Sequence, residues 1–124
     1  MYADKVRKGW DLALKLRGEG DLNNSASRMY YAVFQAVLAY AIQKEGFDRE
    51  KARRDKDNVH SLMKRVVEQN VKNSRQARDA YEDLRELRNR ADYDPDDVVK
   101  SDLEASFVYS VEGIKDFFLK KATK

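Results

Sequence analysis

From Met29 to Ile42 the chain reads MYYAVFQAVLAYAI, and apart from tyrosine hydroxyls its single polar side chain is Gln35. A helix that is apolar on every side must be enclosed on most of them. This segment is therefore expected to be the central helix of a bundle, or a helix that also serves a subunit interface. Asn23, Asn24 or Ser25 can cap its start, and Gly46 marks its end. One proline and five glycines among 124 residues are too few for the many tight turns of an all-β protein. The sequence thus predicts an all-α, up-and-down bundle of four to five helices, with residues 1–124 as one domain.

The other segments fit that plan. Residues 2–16 place Val6, Trp10, Ala13 and Leu14 on one face, and the helix stops at Gly18, Glu19 and Gly20. Residues 47–57, FDREKARRDKD, read as a mobile basic connection. A third helix over residues 58–72 buries Val59, Leu62, Met63, Val66 and Val67. A fourth, Ser74–Tyr93, lies beside the second. Asp94 is expected to cap a short helical turn with Pro95 at its first position. Ser101 and Glu104 have the spacing of a capping box, opening a fifth helix with Leu103, Phe107, Val111, Ile114 and Phe118 inside.

Composition removes several chemistries. The chain has no cysteine, so disulfides and thiolate metal sites are excluded. His60 is its only histidine, which rules out a multi-histidine metal site or a two-histidine centre within one chain. No glycine-rich phosphate loop follows a strand, and no cofactor is expected. Asp92, Asp94, Asp96 and Asp97 lack the glycine and glutamate spacing of a calcium loop, and read instead as acids at a helix start. No apolar run reaches membrane-spanning length, and the first ten residues lack the core of a signal peptide, so a soluble cytoplasmic protein is expected. The net charge of +3 is small but uneven. Residues 49–90 hold thirteen basic against eight acidic side chains, and residues 91–124 hold five against eight. Such a basic segment is either a solvated helix face or a footprint for a polyanion.

One charge is out of place. In SRQARDAYEDLRELRNRADY the apolar stripe Ala77, Ala80, Tyr81, Leu84, Leu87 and Ala91 also carries Arg88 inward. A guanidinium does not lose its proton in practice, and burying it unpaired is costly. Arg88 must meet a carboxylate, for which Asp92 one turn on is the nearest candidate, or face a cleft or an anionic ligand. On the second helix, Arg28, Tyr31 and Gln35 share one polar strip. It reads either as a hydrogen-bonded network fixing helix register or as a wall of the groove that holds Arg88.

The stretch Ala26, Ser27, Arg28, Met29, Tyr30, Tyr31, Ala32, then His60, then Leu87 to Tyr93 (LRNRADY) resembles the HEPN domain family (higher eukaryotes and prokaryotes nucleotide-binding), especially its small stand-alone prokaryotic members. The resemblance covers nearly the whole chain. It implies a helical bundle, usually a homodimer, that binds RNA or nucleotides. Many relatives are metal-independent endoribonucleases and act as toxins in toxin–antitoxin or defence pairs; some pair with a nucleotidyltransferase that modifies them. Their site joins an arginine, a polar residue directly after it, and a histidine beyond a gap of four to six residues.

Arg88 and Asn89 match the first half of that pattern, whereas the three positions open to the histidine hold Tyr93, Asp94 and Pro95. An unperturbed phenol has a pKa of about 10, so about one part in a thousand is ionised at neutral pH. Tyr93 is therefore a poor general base, though it can donate a hydrogen bond or stack on a nucleobase. The resemblance implies Arg88, Asn89 and Tyr93 as the catalytic positions of a weak or degenerate ribonuclease site. Arg28, Tyr31, Arg53, Arg54, Lys64, Arg85 and Arg88 are the expected binding residues, with no metal. His60 reads as a helix-terminal or packing histidine, with replacement of the missing histidine as the alternative.

Overall fold

The computed structural model describes residues 2–48, 50 and 56–122. Among the described residues five α-helices are given bounds: α1 (Tyr2–Gly18), α2 (Leu22–Lys44), α3 (Lys56–Asn70), α4 (Ser74–Tyr93) and α5 (Ala105–Ala122), with a 3-10 turn at Lys100–Leu103. The described residues contain no strand. As its all-round apolar pattern demands, α2 is central and touches α1, α3, α4 and α5. Met29, Tyr30, Val33, Ala36 and Val37 lose essentially all solvent contact there. Trp10 from α1, Tyr81 from α4 and Phe118 from α5 complete the enclosure. Each large side chain so buried contributes about 1.5–3 kcal/mol. None of the described helices is long and apolar enough to cross a membrane.

Helix ends differ from expectation where tertiary contacts claim the capping residues. α2 starts at Leu22 with Asp21 as cap, its carboxylate accepting the Asn24 N–H at 3.4 Å. Ser25 lies inside the helix instead, donating its hydroxyl to the Ala13 carbonyl at 2.7 Å and tying α2 to α1. Gly20 at φ 79° makes the turn between them. Leu14 is 37 % exposed rather than buried, because the inner stripe of α1 runs Val6, Trp10, Ala13 and on to Arg17. In α3 Met63 and Val67 are buried, while Val59, Leu62 and Val66 are half-buried.

The connection from α4 to α5 is where the sequence reading is corrected most. Asp94 closes α4, its N–H bonded to the Arg90 carbonyl, and its side chain takes the Asp96 N–H at 3.0 Å in a turn that is not helical. Val98 is drawn into the core and gives its N–H to Asn23 Oδ1 at 2.8 Å, which prevents a helix from forming at Pro95. Asp94, Asp96 and Asp97 therefore follow a helix end rather than open a helix, and Asp92 lies in the last turn of α4. Asp92 faces Arg88, and Asp97 accepts a hydrogen bond from Asn23. Ser101 to Leu103 belong to the 3-10 turn instead of opening a helix, and α5 begins at Ala105. Asp102 accepts the Val99 N–H and the Arg90 guanidinium, each at 2.9 Å, and Leu103 is buried; together they hold that turn and leave Glu104 extended. Most of the 47–57 connection lies outside the described residues.

Candidate functional site

Helical periodicity builds the site. Ala77, Tyr81, Leu84 and Leu87 seat α4 against the core, and Arg88 follows on the same face where α4 passes the exposed flank of α2. Its side chain is only 12 % exposed. Nε lies 3.1 Å from Asp92 Oδ2, the expected one-turn ion pair, but out of line for a hydrogen bond. Nη1 donates to Asn89 Oδ1 at 3.1 Å. Nη2 donates to the Tyr31 hydroxyl at 2.5 Å and, more loosely, to that of Tyr93 at 3.4 Å. Ser27 adds a hydroxyl to Asp92 at 3.4 Å.

Aromatic rings surround this cation. Its central carbon is 5.1 Å from the Tyr31 ring centroid, 5.3 Å from that of Tyr93 and 5.9 Å from that of Tyr30. Each is within range of a cation–π attraction. Burial works against the charge, but Tyr31, Tyr93 and Asp92 outweigh it and hold the Arg88 pKa above its ordinary value. The site is not sealed: Tyr31 is 37 % and Tyr93 75 % exposed. A shallow cleft of about 440 Å³, lined by Glu86, Asn89, Arg90, Tyr93, Asp94 and Pro95, opens directly beside it. A larger cavity of about 780 Å³ at the α1–α2 turn contains none of the candidate residues. Size alone does not mark the site.

Beneath Arg88 lies a layer that sequence reasoning missed. Tyr30 is buried and its hydroxyl shares a short hydrogen bond with His60 Nδ1. The His60 ring packs on Phe34 at 4.9 Å and on Tyr30 at 5.6 Å. Tyr81, wholly buried, leans its hydroxyl toward that of Tyr30 without an aligned hydrogen bond. Burial pushes the Tyr30 phenol up to about 12, despite Tyr81, Arg85 and Arg88, which pull the other way. Burial also raises Tyr81 well above the phenol range. His60 moves below the ordinary histidine value, through burial and then repulsion from Arg85 and Arg88. His60 thus packs against α2 and stands in the electrostatic field of Arg88, which no spacing rule reveals. Its position inside α3, facing a tyrosine on the apolar helix, is set by tertiary packing alone.

The remaining candidates divide. Tyr31 meets Arg88 across α2 and α4, while Arg28, one turn earlier, is exposed and has no polar partner among the described residues. The strip is therefore not a buried network. Lys64 pairs with Glu82 at 3.3 Å, and Arg90 with Asp102. Arg85 is half-buried on α4. Arg53 and Arg54 lie outside the described residues.

Comparison with curated proteins and with solved structures gave no match. A family model, the HEPN domain, matches residues 7–121, from the first turns of α1 to the end of α5. By that match, which spans nearly all of its 124 residues and both elements that carry the Arg88 site, this chain belongs to the HEPN domain family.

Proposed function

We propose that the protein binds RNA or a nucleotide through phosphate at Arg88, as one member of a toxin–antitoxin or defence pair, and that its ribonuclease centre is degenerate. The observation that carries this reading is a permanently charged guanidinium held between the solvent-exposed rings of Tyr31 and Tyr93. A planar fork of donors suits phosphate oxygens. A phosphate at this edge would take Arg88 donors now given to neutral hydroxyls, with Asn89 orienting the guanidinium. Exposed tyrosines are stacking platforms for unpaired bases. The adjoining cleft of about 440 Å³ falls within the range of small-molecule sites and would hold a nucleoside. The basic side chains Arg28, Arg53 and Arg54 would steer the polyanion. Two copies of the chain would bring two such sites together in a homodimer, which light scattering at micromolar concentration tests directly.

Binding of a fluorescent single-stranded RNA should weaken steeply between about 50 and 200 mM salt, as counterion release requires. Arg88→Ala should lower affinity by about 10- to 100-fold, the loss of one or two charge-assisted hydrogen bonds. An Arg88→Ala protein that binds as tightly as the parent removes the assignment.

A second reading is favoured by one fact: Tyr93 presents a 75 % exposed side chain beside a guanidinium. Its hydroxyl suits a partner nucleotidyltransferase as acceptor, the phenolic oxygen forming a bond to the α-phosphorus of a nucleoside triphosphate as pyrophosphate leaves. Intact mass after co-expression with such an enzyme decides it.

A further inference from the structure

Every half-buried arginine of the described chain is engaged except one. Arg17 donates to the Leu103 carbonyl, Arg78 pairs with Glu68, Arg88 with Asp92 and Arg90 with Asp102. Arg85, one turn before Arg88 on α4, has neither hydrogen bond nor ion pair among the described residues. Its guanidinium nitrogens are not buried, so they reach solvent and are open to an anion that comes from outside.

No carboxylate pairs with Arg85 among the described residues, and Glu82, one turn before it, is paired with Lys64. His60 is held through Nδ1 by Tyr30, and its Nε2 has no partner and is not among the buried unpartnered atoms, so it reaches solvent. The proton on that nitrogen follows from the neighbours. Tyr30 remains a phenol throughout the neutral range, and the nearby Tyr81 hydroxyl acts on its oxygen in the direction of a donor. Tyr30 therefore gives its own proton to Nδ1, and neutral His60 carries its single proton on Nε2. The imidazole packs on Phe34 and on Tyr30, whose ring centroid lies 5.9 Å from the Arg88 guanidinium carbon, with Arg85 one turn before Arg88 on α4; both arginines disfavour its charged form. On its own helix Lys64 is one turn away and already paired with Glu82.

We propose that Arg85 and the Nε2–H of His60 form a phosphate subsite beside Arg88, holding a second phosphate of the ligand that Arg88 binds. This rests on the reading of Arg88 as a phosphate site. In it His60 is a hydrogen-bond donor; it is not the general base that the family position lacks, because its outward nitrogen already holds a proton. The second phosphate is either the next one along an RNA backbone or the β-phosphate of a nucleoside diphosphate.

Because His60 is the only histidine, its Hε1 resonance reports on the subsite without assignment ambiguity. The full chain is titrated by proton NMR alone, with a short oligouridylate, with ADP and with AMP. An anion within hydrogen-bonding reach favours the imidazolium, so the bound oligonucleotide or ADP should raise the apparent pKa of His60 by roughly one to two units. AMP, with a single phosphate seated at Arg88, should raise it less. Whichever of the first two moves the resonance identifies the source of the phosphate. Arg85→Gln should abolish most of that rise and weaken binding about tenfold, and Arg85→Lys should restore the rise. Oligonucleotide or ADP bound in an Arg88-dependent way with an unmoved His60 titration overturns the subsite and leaves the Arg88 reading standing. No binding of any probe overturns both.

Discussion

Two corners of this bundle hold a largely buried cation against aromatic rings, and in only one are those rings open to solvent. Between α1 and α5, Lys115 Nζ sits 4.8 Å from the Trp10 ring centroid and 3.1 Å from Asp116, almost wholly buried. Trp10 is 2 % exposed and gives its indole N–H to Glu112 at 2.8 Å. Between α2 and α4, Arg88 has similar ring distances, but the outer rings, Tyr31 and Tyr93, face water. Each attraction is worth about 0.5–2 kcal/mol. The distinction is access: a cation closed in behind its ring staples helices, and one beneath open rings can exchange partners.

Truncating Trp10 tests the closed corner and has the largest expected effect. Trp10→Ala should cost about 3–5 kcal/mol of stability in urea unfolding, the range for large-to-small aromatic changes in a core. The RNA affinity of the protein that remains folded should not change. Arg88→Ala should show the opposite balance, about 1 kcal/mol in stability and the large loss in binding given above. If both substitutions lower stability alike and neither alters binding, the two corners are equivalent and the comparison fails.

A substitution at the open corner tests whether chemistry is missing there. Tyr93 stands at the end of α4, its hydroxyl 3.4 Å from the Arg88 guanidinium, and is the first of the three positions open to the histidine of the resemblance. Tyr93→His would supply a base with a pKa near the working pH, and such groups contribute on the order of 10²–10⁴ in rate. RNA cleavage by the variant, scored on a gel without added metal, should exceed that of the parent. Strong cleavage by the unmodified protein, lost in Arg88→Ala but kept in Tyr93→Phe, would show that another group already acts as the base.

Much of this was legible before the fold was known, and the misses have physical causes. The all-apolar α2 and the Arg88 that interrupts the stripe of α4 are periodic signals, and periodicity reports burial well. The ion pair from Arg88 to Asp92 is local and was read from spacing. Caps failed wherever a distant group outbid the local one, as when Ser25 turned to the Ala13 carbonyl and Val98 to Asn23. The Tyr30–His60 contact joins residues thirty positions apart on different helices, so no local pattern encodes it. Arg85 is among the binding residues expected from the sequence, but only the structure shows that no carboxylate of the described residues pairs with it.

The buried layer under the open corner makes stability depend on pH. Burial and two arginines keep His60 below its ordinary value in the fold, so between that lowered value and the unfolded value of about 6.5 the unfolded chain binds more protons. Stability therefore falls as pH drops below about 6.5, and His60 adds no slope above it. His60→Gln should flatten that part of the profile in urea midpoints measured from pH 5 to 7.5. A slope identical in parent and variant would place the imidazole in water rather than beside Tyr30 and Arg85.

The smallest effect separates ring from hydroxyl at the open corner. In the free protein Arg88 Nη2 already has the Tyr31 oxygen at 2.5 Å, so the Tyr93 oxygen at 3.4 Å adds little to it. The Tyr93 ring, 5.3 Å from the guanidinium carbon and mostly in solvent, is the part a base would stack on. Tyr93→Phe keeps that ring, and should change stability by less than about 0.5 kcal/mol and RNA affinity by less than about threefold. Tyr93→Ala removes the platform and should cost about 1–3 kcal/mol of binding, the usual range for one stacked base. A tenfold loss in Tyr93→Phe would show that the hydroxyl reads the ligand, and the open corner would then recognise through hydrogen bonds what is here assigned to stacking.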